Sequence, residues 1–115
     1  MASMSEAAIT RPGPGAHPAQ AKPRGFMEHR ATSKFWQHYH ALQPHIRSSA
    51  DKQFSLLKEN PQHRSLQFKK IGDRHGEEIY SARVTLSHRA LAFKRPYGFL
   101  WFWIGDHEAY EDLIA

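Results

Sequence analysis

The residues best suited to proton transfer in this 115-residue chain are His107 and Tyr110, close to the C-terminus. Unperturbed histidine titrates near pH 6.5, a value about right for either acid or base catalysis. In a helix that begins after Gly105, residues three apart lie on one face, so Tyr110 would share the face of His107. The structural alternative is that His107 caps this helix and Tyr110 packs under a sheet.

Cationic side chains that could hold a phosphate occur in three predicted strands. Arginine's planar fork binds phosphate through two hydrogen bonds, which makes Arg83 and Arg89 candidates for charge stabilisation. The alternative for each is an ion pair with a carboxylate of the C-terminal helix. Lys69 and Lys70 are neighbours in a strand and point to opposite faces, so one of them would contact a polyanion backbone. Their alternative role is to protect an edge strand against aggregation.

The distribution of charge favours an anionic partner. The chain carries a formal net charge of +5. Residues 34–105 hold 12 Lys and Arg against 5 Asp and Glu, whereas residues 106–115 hold four acids and no Lys or Arg. A basic body with an acidic end suits a nucleic acid or an acidic protein segment. Ordinary solubility is the alternative explanation.

Composition predicts a single small domain behind an N-terminal tail. Residues 1–32 are rich in Pro, Gly and Ala without apolar periodicity, which predicts disorder, and residues 33–115 form the domain. Met27 is an alternative translation start to Met1. The chain has no cysteine, no apolar run long enough for a membrane span and no secretory signal, so we expect a cytoplasmic protein.

The order of apolar patterns predicts an α+β domain. Ser33 is placed to cap a first helix that ends before Pro44, and a second helix is predicted over about 44–59. Strands are predicted around residues 66–71, 78–85 and 88–94, with a polar turn at 72–76 and a hairpin loop at 94–98. The fourth strand, Trp101–Ile104 between Gly98 and Gly105, is apolar throughout and should be buried on both faces.

We therefore predict a helical hairpin packed on one face of a small, mainly antiparallel four-stranded sheet, followed by a short C-terminal helix. Residues 26–33 are a candidate for an extra N-terminal edge strand. The other sheet face should be partly open and carry Arg83. Whether Arg89 or Lys94 shares that face depends on the strand register, because a slip of one residue reverses the faces.

An ordered series of short motifs spans residues 33–115. In chain order it consists of Phe35-Trp36, Asn60-Pro61 with Ser65-Leu66, Phe68-Lys69-Lys70, Ser81-x-Arg83-Val84, Arg89-Ala90-Leu91 and Trp101-Phe102-Trp103-Ile104-Gly105-x-His107-x-x-Tyr110-x-x-Leu113. In this series the chain resembles the RelE/ParE superfamily of type II toxins, and within it a compact subgroup of cytotoxic translational repressors. The resemblance implies an antitoxin protein that wraps and blocks the toxin.

The resemblance also implies an activity. We expect the toxin of a type II toxin–antitoxin system that inhibits translation by ribosome-dependent messenger RNA cleavage, with no metal, no cofactor and no membrane. The alternatives are a ParE-like DNA gyrase inhibitor without nuclease activity, and an inactive binding module that keeps the fold. The expected catalytic residues are Lys69, Arg83, Arg89 and His107. The expected RNA-binding residues are Lys70, His88, Lys94, Arg95, Tyr97 and Tyr110.

Overall fold

The computed structural model describes residues 7–8 and 27–114, which build a mixed sheet between helices. The strands are β1 (Ala7–Ala8), β2 (Glu28–Ala31), β3 (Lys69–Arg74), β4 (Glu77–Thr85), β5 (His88–Arg95) and β6 (Gly98–Asp106). The helices are α1 (Ser33–His40), α2 (Pro44–Glu59) and α3 (His107–Ile114), with a 3-10 turn at Arg64–Leu66. The predicted α+β class is confirmed, with the helical hairpin and the short C-terminal helix in place.

The sheet has the strand order β1-β2-β6-β5-β4-β3. Strands β3 to β6 form the predicted antiparallel meander, and β2 is the predicted extra N-terminal strand, with the two-residue β1 paired outside it at the edge. It runs parallel to β6, from the pair Glu28–Gly98 to the pair Ala31–Trp101. The domain therefore reaches into the segment that the sequence assigned to the tail. The predicted disorder of residues 1–32 otherwise lies mostly outside the described residues and stays a prediction.

A glycine is required where β2 meets β6. Gly98 has φ +148°, and a Cβ atom built there would lie 2.1 Å from the carbonyl oxygen of Glu28. Only a residue without a side chain lets the two backbones come this close. The hairpin between β3 and β4 also depends on positive φ, at His75 (+52°) and Gly76 (+82°), which is the pattern of a tight two-residue turn.

The first face of the sheet packs against α1 and α2. Strand residues on this face include three alanines, Ala82, Ala90 and Ala92, all buried. Such small side chains leave room for the larger helix residues above them. The helices contribute Phe35, Ile46, Ala50 and Leu57, and β6 contributes Phe99, Trp101 and Ile104. This is the main core of the domain.

The second face carries a smaller core that α3 covers in part. Leu91 and Trp103 from the central strands lie in one cluster with Tyr110 of α3, and Leu113 packs at its margin. Phe93 and Phe102 stack with their ring centroids 4.1 Å apart. Because β6 is buried on both faces, as predicted, it needs a cover on each side. The hairpin supplies one cover and α3 the other.

Three local predictions are wrong in detail. The cap of α1 is Thr32, whose Oγ1 accepts a hydrogen bond from Phe35 N at 3.0 Å, rather than Ser33. Strand β3 begins at Lys69, because Leu66 lies in the 3-10 turn. The turn predicted over 72–76 is confined to His75 and Gly76, so β3 is longer than expected at its C-terminal end.

His29 is a buried titratable residue in the core. It is 7% exposed and lies beside the rings of Phe54, Phe99 and Trp101. Trp101 Nε1–H donates a hydrogen bond to His29 Nδ1 at 3.0 Å, so this nitrogen must be unprotonated. Burial, with a smaller contribution from the charge of Lys58, lowers the pKa of His29 from 6.5 to about 4.

We predict that His29 makes the protein less stable in mild acid. Below pH 6.5 the unfolded chain binds a proton at His29 that the folded chain does not bind until about pH 4. Stability is therefore full above pH 6.5 and falls as the pH drops, by about 2 kcal/mol at pH 5. Urea unfolding at pH 7.5 and pH 5.0, followed by tryptophan fluorescence, measures the difference.

The variant His29→Gln keeps an acceptor for Trp101 and removes the titration. The difference in free energy of unfolding between pH 7.5 and pH 5.0 should therefore shrink by about 2 kcal/mol. The exposed His45→Gln is the matched control. An unchanged pH dependence in His29→Gln would contradict the assignment.

Candidate functional site

Arg83 and Arg89 lie directly opposite each other on β4 and β5. Residues opposed across two antiparallel strands project to the same face of the sheet. This face is the second one, because Ser81 and Leu91 form the next opposed pair and Leu91 belongs to the core under α3. Lys94 pairs with Phe99, which belongs to the main core. The register question is thus answered, and Arg89 rather than Lys94 shares the face of Arg83.

We call Lys69, Arg83 and Arg89, together with His107 and Tyr110 at the start of α3, the cationic face. Lys69 joins it because it pairs with Ser81 on β4, whereas Lys70 pairs with Tyr80 and projects to the other face. Lys70 also lies 3.4 Å from Asp73, in an ion pair. The structure thereby separates the two neighbouring lysines as alternation predicts, and Lys69 is the one beside the arginines.

The side chain of Arg89 is held by the domain itself. Its Nη1 donates a hydrogen bond to Ser81 Oγ at 3.3 Å, and Ser81 is fully buried. Its guanidinium carbon lies 5.4 Å from the ring centroid of Tyr110, within range of a cation–π contact. Its strand partner on β6 is Gly105, where a Cβ atom would lie 2.6 Å from the Trp103 ring. The missing side chain at Gly105 lets the Trp103 ring pack there.

The guanidinium of Arg83 is not committed in this way. Among the described residues it takes part in no hydrogen bond or ion pair, and the side chain is half-buried. Its backbone is fixed instead, since Gln53 Nε2 of α2 donates to Arg83 O at 3.1 Å. A strand irregularity follows between Arg83 and Thr85. Arg83 therefore has a firmly positioned backbone, and the charge of its guanidinium remains available to an anion.

His107 is the first residue of α3 and is positioned by three contacts. Its backbone N donates to Ser87 O at 2.7 Å. Its ring stacks on Tyr110, with the centroids 5.7 Å apart, and its Nε2 lies 2.9 Å from Glu111 Oε2. The helix is capped by Asp106 rather than by His107, since Asp106 Oδ1 accepts from Ala109 N at 2.9 Å. Asp106 therefore caps α3, and the ring of Tyr110 packs under the sheet. Neither of these two roles belongs to His107.

His88 is the first residue of β5 and directly follows the β4–β5 turn. Its Nδ1 is 3.0 Å from Thr85 Oγ1 and 3.1 Å from Ser87 Oγ. Strand alternation places it on the face opposite to Arg89. It is close to α3 through Ser87, whose carbonyl accepts from His107. The structure thus places His88 behind the cationic face, where its contacts order the turn.

The remaining predicted RNA-binding residues, Lys94, Arg95 and Tyr97, lie at the other end of the sheet. Lys94 is five residues along β5 from Arg89, or about 17 Å at the usual strand rise. Arg95 forms an ion pair with Glu77, and Arg30 lies over the Tyr97 ring at 4.3 Å. The structure does not bring these residues together with the arginines of the cationic face.

A cavity of about 350 Å³ lies on the first face, between the helical hairpin and the sheet. Aromatic rings of Phe35, Trp36, Tyr39 and Trp101 line much of it. Arg83 also lines this cavity, so the cavity borders the cationic face at that residue. In the described part of the chain, no three His, Asp or Glu side chains are grouped as metal ligands. None of the described helices is long and apolar enough to cross a membrane.

Two residues of this arrangement are absent from the sequence prediction. In the sequence Ser81 stands out only as part of the motif around Arg83, and its contact with Arg89 follows from a register that the sequence leaves open. Glu111 has a signal in the sequence, because residues four apart on a helix are neighbours and His107 is four residues before it.

The strand order, the hairpin on one face and the short helix on the other define a RelE-like toxin fold. Solved structures share it, among them two complexes. A chain of the RelE–RelB complex from Pyrococcus horikoshii OT3 is 11% identical, with 70% of this chain and 94% of that chain covered and a TM-score of 0.55. A chain of the RelB–RelE antitoxin–toxin complex from Methanococcus jannaschii is 14% identical, with coverages of 74% and 98% and a TM-score of 0.56. The sequence matches no protein-family model and no curated protein.

We predict that Tyr110 anchors α3 through its ring rather than through its hydroxyl. Tyr110 is 9% exposed and contacts Trp103 and Arg89. Tyr110→Ala should lower the free energy of unfolding by about 3 kcal/mol, because it empties a packed site. Tyr110→Phe keeps the ring and should cost less than about 1 kcal/mol. Urea titrations of both variants test this, and equal losses would show that the hydroxyl is essential.

Proposed function

We propose that this protein is the toxin of a toxin–antitoxin pair and that it blocks translation by cleaving messenger RNA on the ribosome. The observation that supports this best is the opposition of Arg83 and Arg89 on an incompletely covered sheet face, with His107 at its end. Neither arginine is paired with a described carboxylate. The fold supports the toxin assignment, since both similar structures are toxin–antitoxin complexes.

The chemistry requires few groups. A base removes the proton of a ribose 2′-hydroxyl, and the 2′ oxygen bonds to the adjacent phosphorus. The bond from phosphorus to the 5′ oxygen breaks, and an acid returns a proton to that oxygen. The products are a 2′,3′-cyclic phosphate and a free 5′-hydroxyl. No electron transfer takes place, so the reaction needs no redox partner.

The residues of the cationic face fit these roles. Arg83 and Arg89 stabilise the charge that builds on the phosphoryl oxygens, each with a planar set of donors. His107 transfers a proton, because imidazole can both accept and donate one near neutral pH. Lys69 supplies a further positive charge from the neighbouring strand and is the second candidate for proton transfer. Tyr110 holds Arg89 and His107 in their relative positions.

The proposed partner is an antitoxin protein. The two similar structures hold RelE together with RelB, and the body of this chain is strongly basic. An acidic segment of an antitoxin would be attracted to the cationic face and would exclude RNA from it. The proposed site of action is the cytoplasm, where ribosomes and messenger RNA are present.

We predict that induced expression arrests translation and that Arg83→Gln abolishes the arrest. Removing one charge-stabilising donor should slow cleavage of ribosome-bound message by about 100-fold or more. Arg74→Gln makes the same change in charge at an exposed site on β3 and is the control. Incorporation of labelled methionine and cleavage of the message are the measurements.

Plasmid supercoiling is followed in the same cells. Loss of supercoiling with translation intact would replace the nuclease proposal by gyrase inhibition, the ParE-like alternative, which does not need His107. Harmless induction of a folded protein would leave a binding module that keeps the fold without activity.

We further predict that Arg83 makes a phosphate contact that salt weakens. Each contact with a single strand contributes about 0.7 to the slope of log affinity against log salt concentration. Arg83→Gln should therefore reduce the slope by about 0.7 for a 2′-deoxy oligonucleotide, which cannot be cleaved. Fluorescence anisotropy at several salt concentrations gives the slope. An equal reduction in Arg74→Gln would indicate diffuse attraction to total charge in place of a defined site.

A further inference from the structure

We propose that Glu111 is a positioning residue for catalysis, which acts by holding the imidazole of His107 in one orientation and one tautomer. This inference rests on the proposed nuclease function and adds a residue to its site. It starts from one distance, the 2.9 Å between Glu111 Oε2 and His107 Nε2. The contact is an ion-pair contact, and a carboxylate this close to Nε2 favours a proton on that nitrogen over a lone pair.

The contact with Glu111 adds the last constraint on the orientation of the His107 ring. The backbone is tied to the β4–β5 turn through Ser87 O, and the plane of the ring is set by stacking on Tyr110. These two contacts leave open which ring nitrogen faces the solvent. Glu111 decides this, because it occupies Nε2. Among the described residues, Nδ1 of His107 has no hydrogen-bond partner, so Nδ1 is the nitrogen available to substrate.

The chemical consequence concerns both steps of the proton transfer. With the proton on Nε2, the lone pair is on Nδ1, where it can accept the proton of a ribose 2′-hydroxyl. The ring then becomes positively charged, and the carboxylate at 2.9 Å offsets this charge. The same arrangement is productive in reverse, since a protonated Nδ1 can donate to a leaving oxygen. A histidine oriented by a carboxylate is a general device for this purpose.

Other acids of α3 do not serve His107 in this way. Asp106 is committed to the cap, where its Oδ1 accepts from Ala109 N. Glu108 is exposed and lies one residue after His107, which places it on a different side of the helix. Glu108 is therefore a matched control for Glu111, since its substitution changes the charge of the same helix by the same amount.

The alternative is a surface ion pair that stabilises α3 and does nothing else. Both side chains are well exposed, His107 at 47% and Glu111 at 65%, so the contact alone does not exclude this. The two roles differ in one respect. If Glu111 acts through His107, its substitution has no effect once His107 has been replaced, whereas a loss of helix stability persists in either background.

The experiment is a double-mutant cycle in cleavage of ribosome-bound message, with Glu111→Gln, His107→Gln, the pair, and Glu108→Gln. We expect Glu111→Gln to lower kcat about tenfold without raising KM, and His107→Gln to lower it about 100-fold, within the usual range for acid–base catalysis. The double variant should be no slower than His107→Gln. Glu108→Gln should match the wild type.

Two outcomes overturn the inference while the proposed function stands. One is an active wild type with Glu111→Gln as fast as Glu108→Gln. The other is a tenfold loss that recurs in the His107→Gln background. A wild type that cleaves no message overturns the proposed function instead.

A second measurement does not depend on activity. The ¹⁵N chemical shifts of the His107 ring in the full chain report which nitrogen carries the proton. We expect the proton on Nε2 in the wild type and in Glu108→Gln, and altered shifts in Glu111→Gln. Identical shifts in all three proteins would show that the contact is not made in solution and would overturn the inference.

Discussion

The fold depends on a central strand that has apolar side chains on both of its faces. In β6, Phe99, Trp101 and Ile104 project to one side, and Trp103 projects to the other. Exposure of either set would forgo the free energy of burying large side chains, about 1.5 to 3 kcal/mol each. Both faces must therefore be covered. The hairpin of α1 and α2 covers the first face, and α3, which follows β6 directly, covers the nearer part of the second.

The incomplete cover on the second face is what creates a candidate site. Helix α3 has eight residues and packs on β5 and β6, over Leu91 and Trp103, which leaves most of β4 and β3 outside its direct contact although Ile79 of β4 is buried in the same cluster. Polar and cationic side chains can occupy the uncovered strands without being desolvated. This is where Lys69 and Arg83 are found. Because α3 begins at the same end of β6, the covering helix also delivers His107 and Tyr110 to the margin of the cationic residues.

Much of the fold could be predicted from the sequence because its patterns are local. Three patterns each predict a structure from a few neighbouring residues: the unbroken apolar run of β6, the apolar stripe of α2 and the turn residues around β4 and β5. The partner of β2 was not accessible in this way, because a four-residue strand parallel to β6 is chosen by contacts with residues about 70 positions away. The cap at Thr32 was missed because Thr32 and Ser33 are chemically almost equivalent as caps.

The sequence predicts which residues belong to the candidate site better than it predicts how they are arranged. The residue types of Arg83, Arg89, Lys69 and His107 indicate anion binding and proton transfer, but the pairing of Arg83 with Arg89 depends on register, which β-bulges shift without a clear trace in the sequence. The same limitation explains why Lys94, Arg95 and Tyr97 were grouped with the site. Their residue types suit RNA binding, but they lie at the end of β5 and in the following loop, far from Arg89.

The two arginines of the cationic face are not equivalent, and this affects how any loss of function should be interpreted. Arg89 is bonded to buried Ser81 and lies over Tyr110, so replacing it disturbs both the attachment of α3 and the charge of the face. Arg83 has its backbone fixed by Gln53 and its guanidinium uncommitted within the described residues, so its replacement removes a charge without breaking a side-chain hydrogen bond or ion pair among them. A defect at Arg89 thus combines stability with chemistry, whereas a defect at Arg83 in a protein of unchanged stability reports on anion binding. For this reason a phosphate site is better tested at Arg83, whose guanidinium has no hydrogen-bond or ion-pair partner among the described residues.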